Sequence, residues 1–200
     1  MKRNTLIGLA VVALIILIIA GTIGGTYNKL VSLDQNVESQ WAQVENVYQR
    51  RADLVPNLVA TVRGAAAHER ETLQAVTEAR TQVTRLEIGD NAFEDPEALA
   101  RYQAAQGQLS SALSRLLAVA EAYPQLRANE NFLALQSQLE GTENRITVER
   151  MRFNETAREF NTARQSFPTN MVAGIFGGRF EIKAYFQAEV GAAEVPEVEF

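Results

Sequence analysis

The chain has 200 residues, no cysteine, one histidine and a net charge of −5. Those values exclude disulfides, thiolate chemistry and a multi-histidine metal site within one chain. The acidic balance argues against a nucleic-acid partner, which calls for a basic footprint.

The first element is the uncharged run Thr5–Thr26, TLIGLAVVALIILIIAGTIGGT. A bilayer core needs about 20 apolar helical residues, so Leu6–Ile23 is predicted to span a membrane. A cleaved signal peptide has a shorter apolar core, followed by a small-residue cleavage site of the A-x-A type. Here the run is longer and Ala20, Gly21, Gly24 and Gly25 form no such site. Lys2 and Arg3 precede the span and Lys29 follows it. Basic residues are retained on the cytoplasmic side, which predicts N-in, with the rest of the chain extracytoplasmic and a cytoplasmic domain as the alternative. Gly21 and Gly25 have the G-x-x-x-G spacing that lets two helix backbones approach in lipid. Small residues at an interfacial helix end are the plainer explanation.

From Leu30 an apolar stripe recurs at alternating steps of three and four. It runs through Leu30, Leu33, Val37, Trp41, Val44, Tyr48, Val55, Leu58 and Val62, with Gln35, Glu38, Gln43 and Arg50 between. That spacing is one face of a helix. Pro56 interrupts it, removing a backbone donor and disfavouring helical geometry at Val55. Either one long helix kinks there, or two helices turn back on each other. Segments 28–54, 57–86 and 96–122 have matched lengths of roughly 40–45 Å, which suits an up-down bundle. The fold class is therefore all-α: a transmembrane helix, then an antiparallel bundle of four long helices if the chain turns at Pro56, or three if it only kinks.

Glu87–Asp95 reads as a loop, and Asp95-Pro96-Glu97 as a helix start with a capping carboxylate and a first-turn proline. Tyr123-Pro124 ends that helix. The next runs through Phe132, Leu139, Ile146, Phe153, Phe160 and Phe167. Its end nearly repeats itself, FNETARE then FNTARQS. Phe153, Phe160 and Phe167 stand seven apart, so with Trp41 they are predicted to form a core stripe, a ligand groove being the sharper alternative. Core packing is the prediction for Phe153 and Phe160 and is weaker for Phe167, beside the helix-ending Pro168. Asn154 and Asn161 are either buried amides that fix register or surface residues. After Pro168 the glycine-containing stretch TNMVAGIFGGRF argues against a helix. Its apolar residues would pack on the bundle by default, or touch a membrane surface or a partner. Gly191–Phe200 reads as a mobile acidic tail. The domains are thus 1–27 (anchor), 28–167 (bundle) and 168–200.

No chemistry motif survives inspection. His68-Glu69 begins like H-E-x-x-H, but Thr72 stands where the second histidine belongs. There is no phosphate-binding loop and no nucleophile elbow, so no catalytic, cofactor or metal residue is assigned.

Three long stretches resemble the bacterial LemA family: YNKLVSLDQNVESQWAQVENVYQRRADLVPNLVATVRGAAAHE, LSRLLAVAEAYPQLRANENFLALQSQLEGTENRI, and RFNETAREFN with FPTNMVAGIFGG. The resemblance covers nearly the whole chain, with departures at Ala65–Ala66, Phe153 and Gly178. It implies a bacterial membrane protein with a helical bundle, no cofactor and no enzymatic activity. A role in membrane organisation is implied only by analogy with a magnetosome-associated relative. Two functions remain in view: a scaffold or adaptor, homo-oligomeric and bound to lipid and to protein partners not identified by sequence, or a sensor that takes a peptide or small ligand between its helices.

Overall fold

A computed structural model describes residues 2–86 and 92–187. Loop residues 87–91 and the acidic tail, for which mobility is expected, lie outside the described residues. Six α-helices account for nearly all of it: α1 (Lys2–Ala65), α2 (Arg70–Arg85), α3 (Pro96–Glu121), α4 (Pro124–Arg127), α5 (Glu130–Gln165) and α6 (Thr169–Ile175). Among the described residues there is no strand.

Helix α1 runs unbroken for 64 residues, from the apolar run into the bundle. Residues from Leu6 to Ile19 are exposed, and this is the one described helix long and apolar enough to cross a membrane. Neither the reversal at Pro56 nor a three-helix count holds. The helix continues past the proline to Ala65, and the chain turns ten residues later, at Ala66–Glu69. The physical reason lies on α2. A proline leaves the carbonyl four residues earlier without its helical donor, here that of Ala52. Arg80 Nε donates to the Ala52 carbonyl at 2.9 Å. The neighbouring helix thus supplies the missing bond, and the bundle has four long helices: the distal part of α1, α2, α3 and α5.

The other helix ends follow local rules. Asp95 caps α3, its carboxylate accepting from the Glu97 amide at 2.9 Å, with Pro96 in the first turn. Asn129 caps α5 by accepting from the amides of Asn131 and Phe132. Exposed His68 sits in the α1–α2 turn. Beside it, the Tyr123 hydroxyl donates to Glu69 at 2.8 Å, tying that turn to the end of α3.

Two cores stack along α1. The one nearer the apolar run is largely aromatic, with Trp41, Tyr48, Phe93, Tyr102, Phe153, Phe160, Phe180 and Phe186. The distal one is largely aliphatic, built from Val55, Leu58, Val59 and Val62 of α1, Ala66 of the turn, the inner faces of α2 and α3, and Leu126, Phe132 and Leu139. Helix α5 packs antiparallel along α1, and α3 along α2.

The stretch after Pro168, where glycines argued against a helix, forms the short helix α6 and then a turn at Gly177. This glycine has φ +58°, a conformation open to glycine at no steric cost. Beyond it, Phe180–Gln187 is an extended strap laid along α5. Every third residue faces inward: Phe180, Lys183 and Phe186 are buried.

Candidate functional site

Trp41, Phe153 and Phe160 are buried, as their spacing predicts. Trp41 lies against Phe93, Tyr102 and Phe153 with ring centroids 5.5–5.8 Å apart, and stacks on Phe186 at 6.0 Å. These rings pack against one another in the core. Phe167 parts from the stripe: it is 80% exposed. Helix α5 ends at Gln165, and Ser166 takes extended backbone (φ −74°, ψ 146°), so the heptad spacing no longer fixes where the ring points. At the limits predicted for the span, Leu6 is exposed and Ile23 half-buried. Nothing lies within 4 Å of where a Cβ on Gly21 or Gly25 would stand, so that face is bare.

The near-repeat in α5 has a structural use. Asn161 donates to the Lys183 carbonyl at 2.8 Å and accepts from the Lys183 amide at 2.9 Å. Asn154 treats Phe186 the same way, at 3.0 and 2.9 Å. Each side-chain amide imitates a strand partner. Seven helical residues advance about 10.5 Å, and three extended residues about 10 Å, so a heptad on α5 keeps step with every third residue of the strap. Phenylalanine at the first position of each repeat faces the core, and asparagine at the second holds the strap. Arg164 Nε adds a donor to the Phe180 carbonyl.

The strap carries a buried cation. Lys183 Nζ pairs with Asp34 of α1 at 2.7 Å and with Glu94 at 2.5 Å, and lies over the rings of Phe93 and Phe160. A buried ammonium needs such partners, and here they join strap, α1 and the loop before α3.

A second buried cation, Arg51, sits between the two cores. It donates to Ser110 Oγ at 2.6 Å, Glu143 at 2.8 Å, the Gln106 carbonyl at 3.2 Å and the Gln106 side-chain oxygen, and lies over the Tyr48 ring. Arg51 is the floor of an open groove of about 970 Å³ between α3 and α5. One wall is a small-residue stripe on α3, including Ala100, Ala104, Gly107, Ser111 and Ser114. The other is Glu143, Ile146, Thr147 and Arg150 of α5. The strap ends at its mouth, where Gln103 and Arg150 both donate to the Gln187 carbonyl. Three arginines, Arg51, Arg115 and Arg150, and one carboxylate, Glu143, line the groove, with Arg51 paired to Glu143. Burial is the main cause pushing the nearby Tyr102 phenol above the ordinary tyrosine range. Among the described residues, no group of three or more His, Cys, Asp or Glu could hold a metal ion.

The LemA family model matches residues 40–200, which include the strap, both asparagines and Arg51. The chain belongs to the LemA family. This LemA protein is similar to the magnetosome proteins MamQ 1 and MamQ 2 of Paramagnetospirillum magneticum and to MamQ of Magnetospirillum gryphiswaldense. Each is 27% identical over 186 residues, covering 85% of this chain and 67% of the relative. The apolar start of α1 together with these relatives supports membrane anchoring.

Sequence reasoning missed the strap contacts and Arg51. The signal for Arg51 was present as a gap: Arg51 falls three residues after Tyr48 and four before Val55, on the stripe itself.

Proposed function

We propose that this protein is a non-enzymatic, membrane-anchored scaffold that self-assembles and holds partner proteins at a fixed height above the bilayer. The observation that carries the reading is the continuity of α1, which joins the apolar span to the bundle core without a break. A continuous helix is a stiff post, whereas a flexible linker would let the bundle roam. The magnetosome relatives support a place in membrane organisation. Lys2 and Arg3 against Lys29 support a cytoplasmic N-terminus in the bacterial inner membrane, a single pass and an extracytoplasmic bundle. The bare Gly21–Gly25 face supports association between spans.

The test is the mass of the detergent-solubilised full chain by light scattering. A defined homo-oligomer that dissociates in Gly21→Leu/Gly25→Leu supports the scaffold. A monomer at all concentrations overturns it. The α3–α5 groove favours a second reading, a binding module for a carboxylate-bearing peptide. That reading expects saturable binding of an acidic test peptide by the intact protein, lost in Gly107→Leu.

A further inference from the structure

The register between α1 and α5 fixes the height of the glycine-containing segment. Arg51 meets Glu143 and Trp41 meets Phe153, so each step along α1 toward the span is a step along α5 toward its end. Continued at that pace, the end of α5 at Gln165 comes level with Lys29, just beyond the apolar run. Ring contacts confirm the level from the other side of α6. Tyr27 touches Phe176 with centroids 4.6 Å apart and Phe180 at 5.6 Å, and the Arg179 guanidinium lies over the Tyr27 ring.

At this level α6 has two unlike faces. Val172 and Ala173 are buried against the bundle. Met171 and Ile175, one helical turn apart, are 62% and 67% exposed; Phe167 lies four residues before Met171 and is more exposed still. Phe176 and Ile182 are also exposed. The anchor itself dictates what meets this patch: α1 is one helix, so whatever bilayer holds Leu6–Ile23 has its surface at Tyr27. Aromatic and long apolar side chains at that depth partition into the headgroup and acyl boundary, with basic neighbours such as Arg179 and Lys29 suited to anionic headgroups.

We propose that Phe167, Met171, Ile175 and Phe176 form a membrane-surface foot that inserts into the outer boundary of the same bilayer that α1 spans. The bundle then stands on two supports, the span and the foot. The foot fixes its tilt and its rotation about α1.

The chain has no cysteine, so single nitroxide labels can be placed cleanly. Phe167→Cys, Met171→Cys and Ile175→Cys are each labelled in the full chain, reconstituted in vesicles of phosphatidylcholine and phosphatidylglycerol. Leu14→Cys in the span and Leu133→Cys on the distal bundle serve as references, both residues being exposed. Collision with oxygen, which concentrates in lipid, is compared with collision with a water-soluble nickel chelate. The expected result is lipid-like accessibility at 171 and 175, shallower than at 14 and unlike 133. Water-like accessibility at both positions overturns the proposal. So does protection from both reagents, which would mean that protein, such as a second copy, covers the patch.

Discussion

Replacing Arg51 with methionine tests whether the layer between the two cores is built around this guanidinium. Methionine keeps a shorter, unbranched apolar stem and removes five donors. Gln106 is buried and its side-chain oxygen loses its donor, while its carbonyl, inside α3, keeps its helical bond. Each buried acceptor left unpaired costs about 1–3 kcal/mol. Glu143 is 39% exposed on its side chain, so water recovers much of that loss. The sum falls in the range of about 3–5 kcal/mol typical of breaking a buried pair from one side. At roughly 2–4 °C per kcal/mol for a chain of this size, thermal unfolding of the detergent-solubilised protein, followed by circular dichroism, should drop by about 6–20 °C. The triple variant Arg51→Met/Gln106→Leu/Glu143→Leu removes the orphaned acceptors and should recover most of the drop, since apolar replacement of a buried ion pair is often neutral or better. A single variant within about 1 °C of wild type would refute the buried-hub reasoning. A triple variant as weak as the single would show that unpaired acceptors were not the cause.

Three further outcomes are expected. Phe153→Ala and Phe160→Ala should each cost about 3–5 kcal/mol and Phe167→Ala within about 0.5 kcal/mol; equal losses at all three would contradict the break at Ser166. Asn161→Ala should raise hydrogen exchange at the Lys183 amide, and Asn154→Ala at Phe186, with protection in α5 retained; unchanged exchange would mean the asparagines do not hold the strap. The raised Tyr102 phenol means the unfolded chain gives up its proton first, so the stabilisation is complete below about pH 10 and is lost as pH rises past it. Tyr102→Phe should therefore lose less stability than wild type between pH 9 and pH 11, and parallel losses would count against burial as the cause.

Much of this fold was legible because it is written in periodicity. The apolar run, the α1 stripe and the Asp95-Pro96 cap are local signals, and each took the helical form its pattern requires. Pro56 was ambiguous for a physical reason: whether a helix survives a proline depends on who serves the freed carbonyl, and Arg80 lies 28 residues further on. The strap was illegible because it has neither the two-residue period of a sheet strand nor the 3.6 of a helix. Its backbone partners are asparagines on another element. Phe167 looked like Phe160 in spacing and differs only because α5 stops two residues before it. Of the candidate groove, the floor showed only as an arginine standing on the α1 stripe, and the walls not at all, since small residues on α3 read equally as helix formers.

The scaffold reading stands or falls on α1 as an unbroken post. Spin labels at Lys29→Cys and Gly64→Cys, both exposed positions flanking Pro56, measure it directly by pulsed dipolar spectroscopy in nanodiscs, with labelled protein diluted in unlabelled chain. A continuous helix separates them by about 52 Å in one narrow distribution. A chain that turned back at Pro56 would place them about 28 Å apart, and that distance, or a broad spread reaching down to it, would contradict the account.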